Sequence, residues 1–154
     1  MAKKSNLKKL IEDYLKKAKL MQVATVKGSQ PWACSVYFAF DKDFNFYWIS
    51  LPSRRHSKEI RNNSKVAGTI VLPHTPGDKV RGIQFQGVAK ELTNKDKVKK
   101  AMENYAKRFN MPKSRVEKVI ADTDGHRCYV ITPNLIVLID EKNFPRNMIQ
   151  EYSP

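Results

Sequence analysis

Disulfide bonds and membrane-spanning segments are the first features that the sequence lacks. Only two cysteines, Cys34 and Cys128, occur among the 154 residues, so a disulfide scaffold cannot hold the fold together. A reduced, cytoplasmic setting is therefore the expectation. No apolar run approaches the roughly 20 residues that span a bilayer. The basic N-terminus spaces its apolar residues as a helix does, not as a signal peptide does.

Motifs of familiar enzyme classes are also missing. The histidines at positions 56, 74 and 126 are not spaced as metal ligands, and neither cysteine belongs to a CxxC pair. The sequence contains no GxGxxG fingerprint, no phosphate-binding loop with a terminal lysine and no GxSxG element. These absences predict no metal site and no catalytic side chain. An enzyme with this sequence would therefore need a cofactor for its chemistry.

Acidic residues are scarce relative to basic ones. The chain has 29 lysines and arginines against 15 aspartates and glutamates, a formal net charge of +14. This surplus favours anionic partners, whether phosphorylated small molecules, nucleic acid or a membrane surface, without choosing among them. Lysine-rich helix faces in contact with solvent would account for the surplus equally well.

Hydrophobic periodicity predicts the secondary structure of one domain over residues 1–154. Apolar residues at spacings of three and four predict a first helix from Leu7 to Leu15, with Ser5 as its N-cap. Further helices are expected over about 53–61, from a capping box at 93–96 to Phe109, and over 112–121. Strands are expected at 21–26, 32–40, 44–50, 65–72, 80–92, 128–132 and 135–140.

These elements predict an α+β fold built on a mostly antiparallel sheet. A closed or split barrel is the usual way to protect the edges of such a sheet. Gly87, inside the fifth expected strand, indicates a bulge or a close backbone approach. Pro133 and Asn134 are expected to separate the last two strands.

The segment that follows the aromatic strand Phe46–Ser50 carries the strongest chemical signal. It enters a helix through Ser53, Arg54, Arg55 and His56, with Lys58 close behind. A helix N-terminus offers unpaired amides, and guanidinium groups can hold two phosphate oxygens at once. The pattern is typical of a phosphate site, and it is also compatible with an ordinary solvated helix start. The aromatic residues nearby could instead stack nucleic-acid bases.

The order of several motifs resembles the pyridoxamine 5′-phosphate oxidase-like superfamily of FMN-binding split barrels, and its YhbP-type branch most closely. The resemblance covers most of the chain up to Phe109, whose helix also carries Tyr105 and Arg108. Its remaining marks are Gln30-Pro31-Trp32 through Tyr37, Phe46-Tyr47, Ser53-Arg54-Arg55-His56, Ile60, Asn62-Asn63, Val66 and Arg81-Gly82-Ile83-Gln84-Phe85-Gln86-Gly87.

The resemblance implies a six-stranded Greek-key split barrel with flanking helices, working as a homodimer with FMN at the subunit interface. It implies a flavoprotein that transfers hydride or electrons to or from a small substrate. The flavin ring would lie along Ala33, Cys34, Ser35 and Val36, and the ribityl chain along Tyr47, Trp48, Ile49 and Ser50. The phosphate would be held by Ser53, Arg54, Arg55, His56 and Lys58, and Gln84 would approach the flavin or the partner subunit.

Two departures from the superfamily pattern modify this expectation. The tail at 143–154 does not reproduce the basic residues that hold the pyridoxal substrate, so oxidation of pyridoxamine phosphate is not expected. His56 stands where a lysine is common, which predicts a weaker, pH-dependent cation. The alternative function is a non-catalytic split-barrel module that binds a phosphorylated ligand or nucleic acid.

Overall fold

The computed structural model describes residues 4–154, which form four helices and eight strands. Within this range the chain order is α1 (Lys4–Lys17), β1 (Leu20–Lys27), β2 (Gln30–Tyr37), β3 (Ala39–Phe40), β4 (Phe46–Ser50), α2 (Arg55–Asn62), β5 (Lys65–Ile70), β6 (Arg81–Glu91), α3 (Lys95–Phe109), α4 (Lys113–Ile120), β7 (Arg127–Asp140) and β8 (Ile149–Tyr152). No helix in the described range is long and apolar enough to cross a membrane.

The strands form one antiparallel sheet that curls on itself. Their order is β2-β1-β5-β6-β7-β4-β3, and β8 pairs with β7 beside this path. β2 and β3 lie at opposite ends of that order, yet only Phe38 separates them in the chain. The two ends of the sheet must therefore approach each other, which produces a barrel that is partly open. The predicted α+β class is confirmed, but the described strands number eight rather than six or seven.

The main core fills the concave side of the curled sheet. Phe46 packs edge-on against Phe38 at 5.7 Å and against Phe85 at 5.1 Å between ring centroids. Such edge contacts between buried rings add to the stabilisation from burial itself. The predicted apolar face of α1 is buried against this core through Leu7, Ile11, Tyr14 and Leu15.

A smaller core lies under α3 and α4. Met102 on α3 and Val116 on α4 pack with Cys128 and Val130 at the beginning of β7. This second cluster holds the α3–α4 hairpin against the β4 end of the sheet. In this position the hairpin forms one wall of a cleft.

The prediction that Pro133 and Asn134 separate two strands is wrong, and the close backbone approach predicted at Gly87 lies at the same place. β7 continues through Pro133 and Asn134, because β7 accommodates Asn134 as the extra residue of a bulge opposite Gln86 and Gly87 of β6. A Cβ atom on Gly87 would lie 2.4 Å from the carbonyl oxygen of Thr132, so the backbones approach closely there, as predicted. A proline is tolerated at such a point since the bulge interrupts the regular ladder.

Four local predictions need correction. The single strand expected over 32–40 is interrupted at Phe38, and β8 was not predicted. Ser5 lies inside α1 rather than capping it. Asn94, not Thr93, caps α3: its side chain accepts a hydrogen bond of 3.1 Å from the Lys97 amide.

Candidate cofactor-binding cleft

A cleft of about 670 Å³ lies between β2 and β4, the strands at which the barrel opens. Ser35, Val36 and Tyr37 line it from β2, and Ile49 and Ser50 line it from β4. The remaining wall comes from Leu20 of β1, the beginning of α2, the α3–α4 hairpin and His126 just before β7. This volume falls within the range of about 300–1,000 Å³ that is usual for small-molecule sites.

The turn from β4 into α2 places Arg54 at the cleft. Arg54 has an extended backbone at the N-cap position, and its side chain makes no capping hydrogen bond. Its amide donates to the carbonyl of Leu51 at 3.1 Å, which closes the turn. Within residues 4–154 no carboxylate is paired with Arg54, so its guanidinium is available to a ligand.

Ser50 and His56 form a buried polar pair beside Arg54. The Ser50 Oγ and His56 Nε2 atoms are 2.8 Å apart and share a hydrogen bond. Burial, and secondarily the charge of Arg54, lowers the pKa of His56 below its ordinary value. His56 is therefore neutral at pH 7 and offers a hydrogen bond rather than a charge.

The neighbouring arginine has a different role. Arg55 Nε donates to the Glu59 carboxylate at 2.7 Å, and its guanidinium lies 4.2 Å from the centroid of the Trp32 ring. Glu59 is itself buried and accepts a 2.5 Å hydrogen bond from Thr25. Hydrogen bonds from Thr25 and then Arg55 hold the pKa of Glu59 below its ordinary value. Arg55 is thus occupied by structural partners outside the cleft.

The electrostatic character of the cleft is cationic and its walls are partly apolar. Two arginines, Arg54 and Arg115, supply its positive charge, and no aspartate or glutamate among residues 4–154 lines it. His56 and His126 line it as well. Side chains of Ile49 and Phe109 are among those that supply apolar surface. A flat ring that carries an anionic group would complement both properties.

Comparison with known proteins assigns the chain to a family. A sequence profile described as pyridoxamine 5′-phosphate oxidase matches residues 7–134, most of the chain. The chain belongs to the pyridoxamine 5′-phosphate oxidase family. One relative of this chain is a UPF0306 protein of Pasteurella multocida, which is 36% identical to it over 85 residues. That match covers 54% of this chain and 57%, less than two thirds, of the relative.

Solved structures support the same fold for this family member. A protein of Listeria innocua, described provisionally as a pyridoxamine 5′-phosphate oxidase, has a TM-score of 0.68 and 20% identity, covering 86% of this chain and 98% of that one. An FAD-binding protein of Mesorhizobium loti has a TM-score of 0.61 and 19% identity, covering 81% and 88%. The predicted split-barrel fold is thereby confirmed.

The cleft of this family member brings together six of the residues predicted to bind FMN. They come from three parts of the sequence and are Ser35, Val36, Ile49, Ser50, Arg54 and His56. Their convergence follows from the topology, because β2 and β4 are remote in the sheet order but adjacent across the opening of the barrel.

Other predicted residues on the same strands do not line the cleft. Trp48 is only 1% exposed and stacks on Tyr129 in the core. Tyr47 points into a different cavity and donates a 2.7 Å hydrogen bond to Asp41. Cys34 packs against the main core, where burial raises the pKa of its thiol. None of these three residues lines the cleft.

The remaining predicted residues are exposed elsewhere on the surface. Ala33, Ser53 and Lys58 are exposed and are not part of the cleft lining. Gln84 is exposed on the β5–β6 face, where it borders a shallow depression together with Gln86. In a single chain, this face is separate from the cleft.

Sequence analysis missed the part of the cleft that α3, α4 and the segment before β7 supply. These residues are Tyr105, Phe109, Asn110, Met111, Pro112, Arg115 and His126. The one available signal was the family mark at Tyr105 and Arg108-Phe109. Arg108 itself is structural: it donates to the backbone carbonyls of Leu15 and Ala18 and so ties α3 to α1.

Proposed function

We propose that this protein binds FMN in the cleft and works as a flavoprotein that exchanges hydride or electrons with a small substrate. The observation that carries the proposal is the unpaired guanidinium of Arg54, next to the Ser50–His56 pair, in a cleft without carboxylates. FMN combines a phosphate dianion with a flat, largely apolar ring. The cleft offers a cationic end and apolar walls to these two parts.

Arg54 would hold the phosphate. A guanidinium can donate to two phosphate oxygens at once, and each charge-assisted hydrogen bond contributes about 1.5–3 kcal/mol net. The first amides of α2 have no partners within the helix and add further donors beside Arg54. Ser50 and neutral His56 have two polar hydrogens and use one in their mutual hydrogen bond, so the pair would donate the other one to a phosphate or ribityl oxygen.

The ring would lie against the apolar part of the cleft. Val36 and Ile49 are half-buried there, and Tyr37 is 57% exposed. When bound, the flavin supplies the hydride or electron transfer, so the protein needs no nucleophile of its own. Positive side chains around the cleft would favour the anionic form of the reduced ring.

A homodimer is the second part of the proposal. Residues 30–33 of β2 are exposed, and Trp32, at 42%, is among the large exposed apolar side chains. A second copy of the chain that covers β2 would bury these residues and complete the wall of the cleft. Light scattering at micromolar protein concentration is expected to give the mass of a dimer. A clean monomer would contradict an interface site.

The phosphate assignment is tested by titrating FMN with wild-type protein and three variants, using the quenching of flavin fluorescence. Arg54→Ala is expected to raise the Kd by at least about tenfold, because at least one charge-assisted hydrogen bond to the phosphate is lost. Arg55→Ala and Lys58→Ala are matched basic controls that are expected to change it little. Riboflavin, which lacks the phosphate, should bind wild type and Arg54→Ala equally.

The same titration can overturn the proposal. If Arg54→Ala binds FMN as tightly as wild type does, Arg54 does not hold the phosphate. If wild type binds no FMN but binds single-stranded nucleic acid in a salt-sensitive manner, the protein is a nucleic-acid-binding module. Circular dichroism of each variant confirms that a change in the Kd does not reflect unfolding.

A further inference from the structure

The α3–α4 wall of the cleft carries a second cation that the phosphate site does not use. Arg115 lies in the first turn of α4 and lines the cleft from there. The one carboxylate of α4, Glu117, pairs with Lys113 at 3.8 Å rather than with Arg115. No other carboxylate in the described part of the chain is paired with Arg115.

Tyr105 adds a neutral donor to this wall. Burial raises the pKa of Tyr105 to about 12, although the charge of Arg115 nearby opposes the shift. The phenol therefore keeps its proton at neutral pH and can donate a hydrogen bond. Together, Arg115 and Tyr105 supply one positive charge and one neutral hydroxyl.

His126 lies on the same wall and is fixed by Asp124. Its Nδ1 atom is 3.3 Å from Asp124 Oδ2, and its backbone amide donates to Asp124 Oδ1 at 2.8 Å. The backbone hydrogen bond holds residue 126 beside the cleft, whereas Nδ1 is close to the carboxylate without forming a hydrogen bond to it. The imidazole lines the cleft and can hydrogen-bond a ligand there.

The surface between these polar groups is aromatic. The Phe109 ring lies 5.5 Å from Tyr37 and 4.7 Å from Tyr105 between centroids. Met111 and Pro112 extend this apolar surface along the cleft. An apolar floor beside a single positive charge suits a ligand with a ring and one negative charge.

We propose that this wall is the substrate subsite of the flavin cleft and binds a small aromatic carboxylate. Arg115 forms the bidentate contact to the carboxylate, Tyr105 donates to it, and His126 hydrogen-bonds a polar group of the ligand. A single guanidinium matches the planar carboxylate and its unit charge. The subsite rests on the proposed function, because the bound flavin is the group that would react with this ligand.

The probe is 4-fluorobenzoate, followed by its ¹⁹F NMR line width as FMN-loaded protein is added. The line is expected to broaden specifically with wild type. Arg115→Ala is expected to raise the Kd at least about tenfold, because it removes a charge-assisted contact. His126→Ala is expected to weaken binding to a smaller degree. Lys113→Ala, which removes an exposed charge that does not line the cleft, should leave the Kd unchanged.

Two further probes test the ligand class. 4-Fluorobenzamide has the same shape without the charge, and equal binding of the amide would overturn the anion subsite. Tighter binding of 4-fluorophenyl phosphate than of 4-fluorobenzoate would overturn the assignment to carboxylates. Unchanged binding to His126→Ala would remove His126 from the subsite.

Repeating the experiment without FMN separates the two proposals. Binding of 4-fluorobenzoate to a protein that takes up no FMN would contradict the flavoprotein proposal and the role of this wall as a substrate subsite, and would leave only a binding site for aromatic carboxylates. Displacement of FMN by 4-fluorobenzoate would show that the wall belongs to the cofactor and would overturn the subsite. If FMN binds and no probe binds, the flavoprotein proposal survives and the subsite does not.

Discussion

Replacement of His56 by lysine is expected to tighten the binding of FMN. His56 is neutral at pH 7 because burial and the charge of Arg54 disfavour its protonation. It therefore contributes a neutral hydrogen bond where the superfamily pattern often has a lysine ammonium. His56→Lys would restore the charge beside Arg54, next to the expected position of the phosphate.

The size of the effect follows from the two kinds of hydrogen bond. A neutral hydrogen bond contributes about 0.5–1.5 kcal/mol net and a charged one about 1.5–3 kcal/mol, so the substitution should add about 1–1.5 kcal/mol. That difference corresponds to a roughly five- to tenfold lower Kd. Without FMN the extra charge lies close to Arg54 in a partly buried site, so the variant should also be somewhat less stable than wild type.

The assay is an FMN titration by flavin fluorescence at pH 7.5, with riboflavin as the ligand that lacks the phosphate. His56→Lys should lower the Kd for FMN and leave that for riboflavin unchanged. Equal tightening for both ligands would show that the lysine contacts the ring or the ribityl chain. No change for FMN would refute the location of the phosphate beside His56.

Three predictions concern stability. Gly87→Ala should lower the Tm by several degrees in differential scanning calorimetry, because its Cβ would lie 2.4 Å from a backbone oxygen. Gly82→Ala on the same strand is the control: its Cβ would meet nothing closer than 3.6 Å, so the Tm should change little. The free energy of unfolding should fall as the pH drops below about 6.5, because His56 takes up a proton in the unfolded chain more readily than in the folded one. Urea titrations of His56→Gln should show a smaller loss of this free energy over the same pH range. Asp140→Ala should cost about 3 kcal/mol in the same titrations, because fully buried Asp140 pairs with Arg81 at 3.2 Å.

The parts of the fold that were predictable have strong local signals. In α1 the apolar residues recur every three or four positions, and in β1 they alternate. In both elements these apolar residues are the ones that the fold buries. The close backbone approach at Gly87, opposite the bulge in β7, was predictable because a glycine within a long strand often marks a bulge or a close approach. β8 was missed because its four residues carry a signal only through their pairing with β7.

The candidate site was predictable only where it is contiguous in the sequence. Ser50, Arg54 and His56 are neighbours at one strand-to-helix turn, so their chemistry is visible in a single motif. The different role of Arg55 could have been inferred from Glu59, which stands four residues later on the same helix. Arg115 could not have been found this way, because only the packing of the hairpin brings it to the cleft.

The most direct test of the central claim is an absorbance spectrum of the purified protein after incubation with FMN and desalting. We predict that the flavin bands remain with the protein fraction at one FMN per chain. A colourless protein fraction, from protein that is folded by circular dichroism, would contradict the assignment of this cleft to FMN.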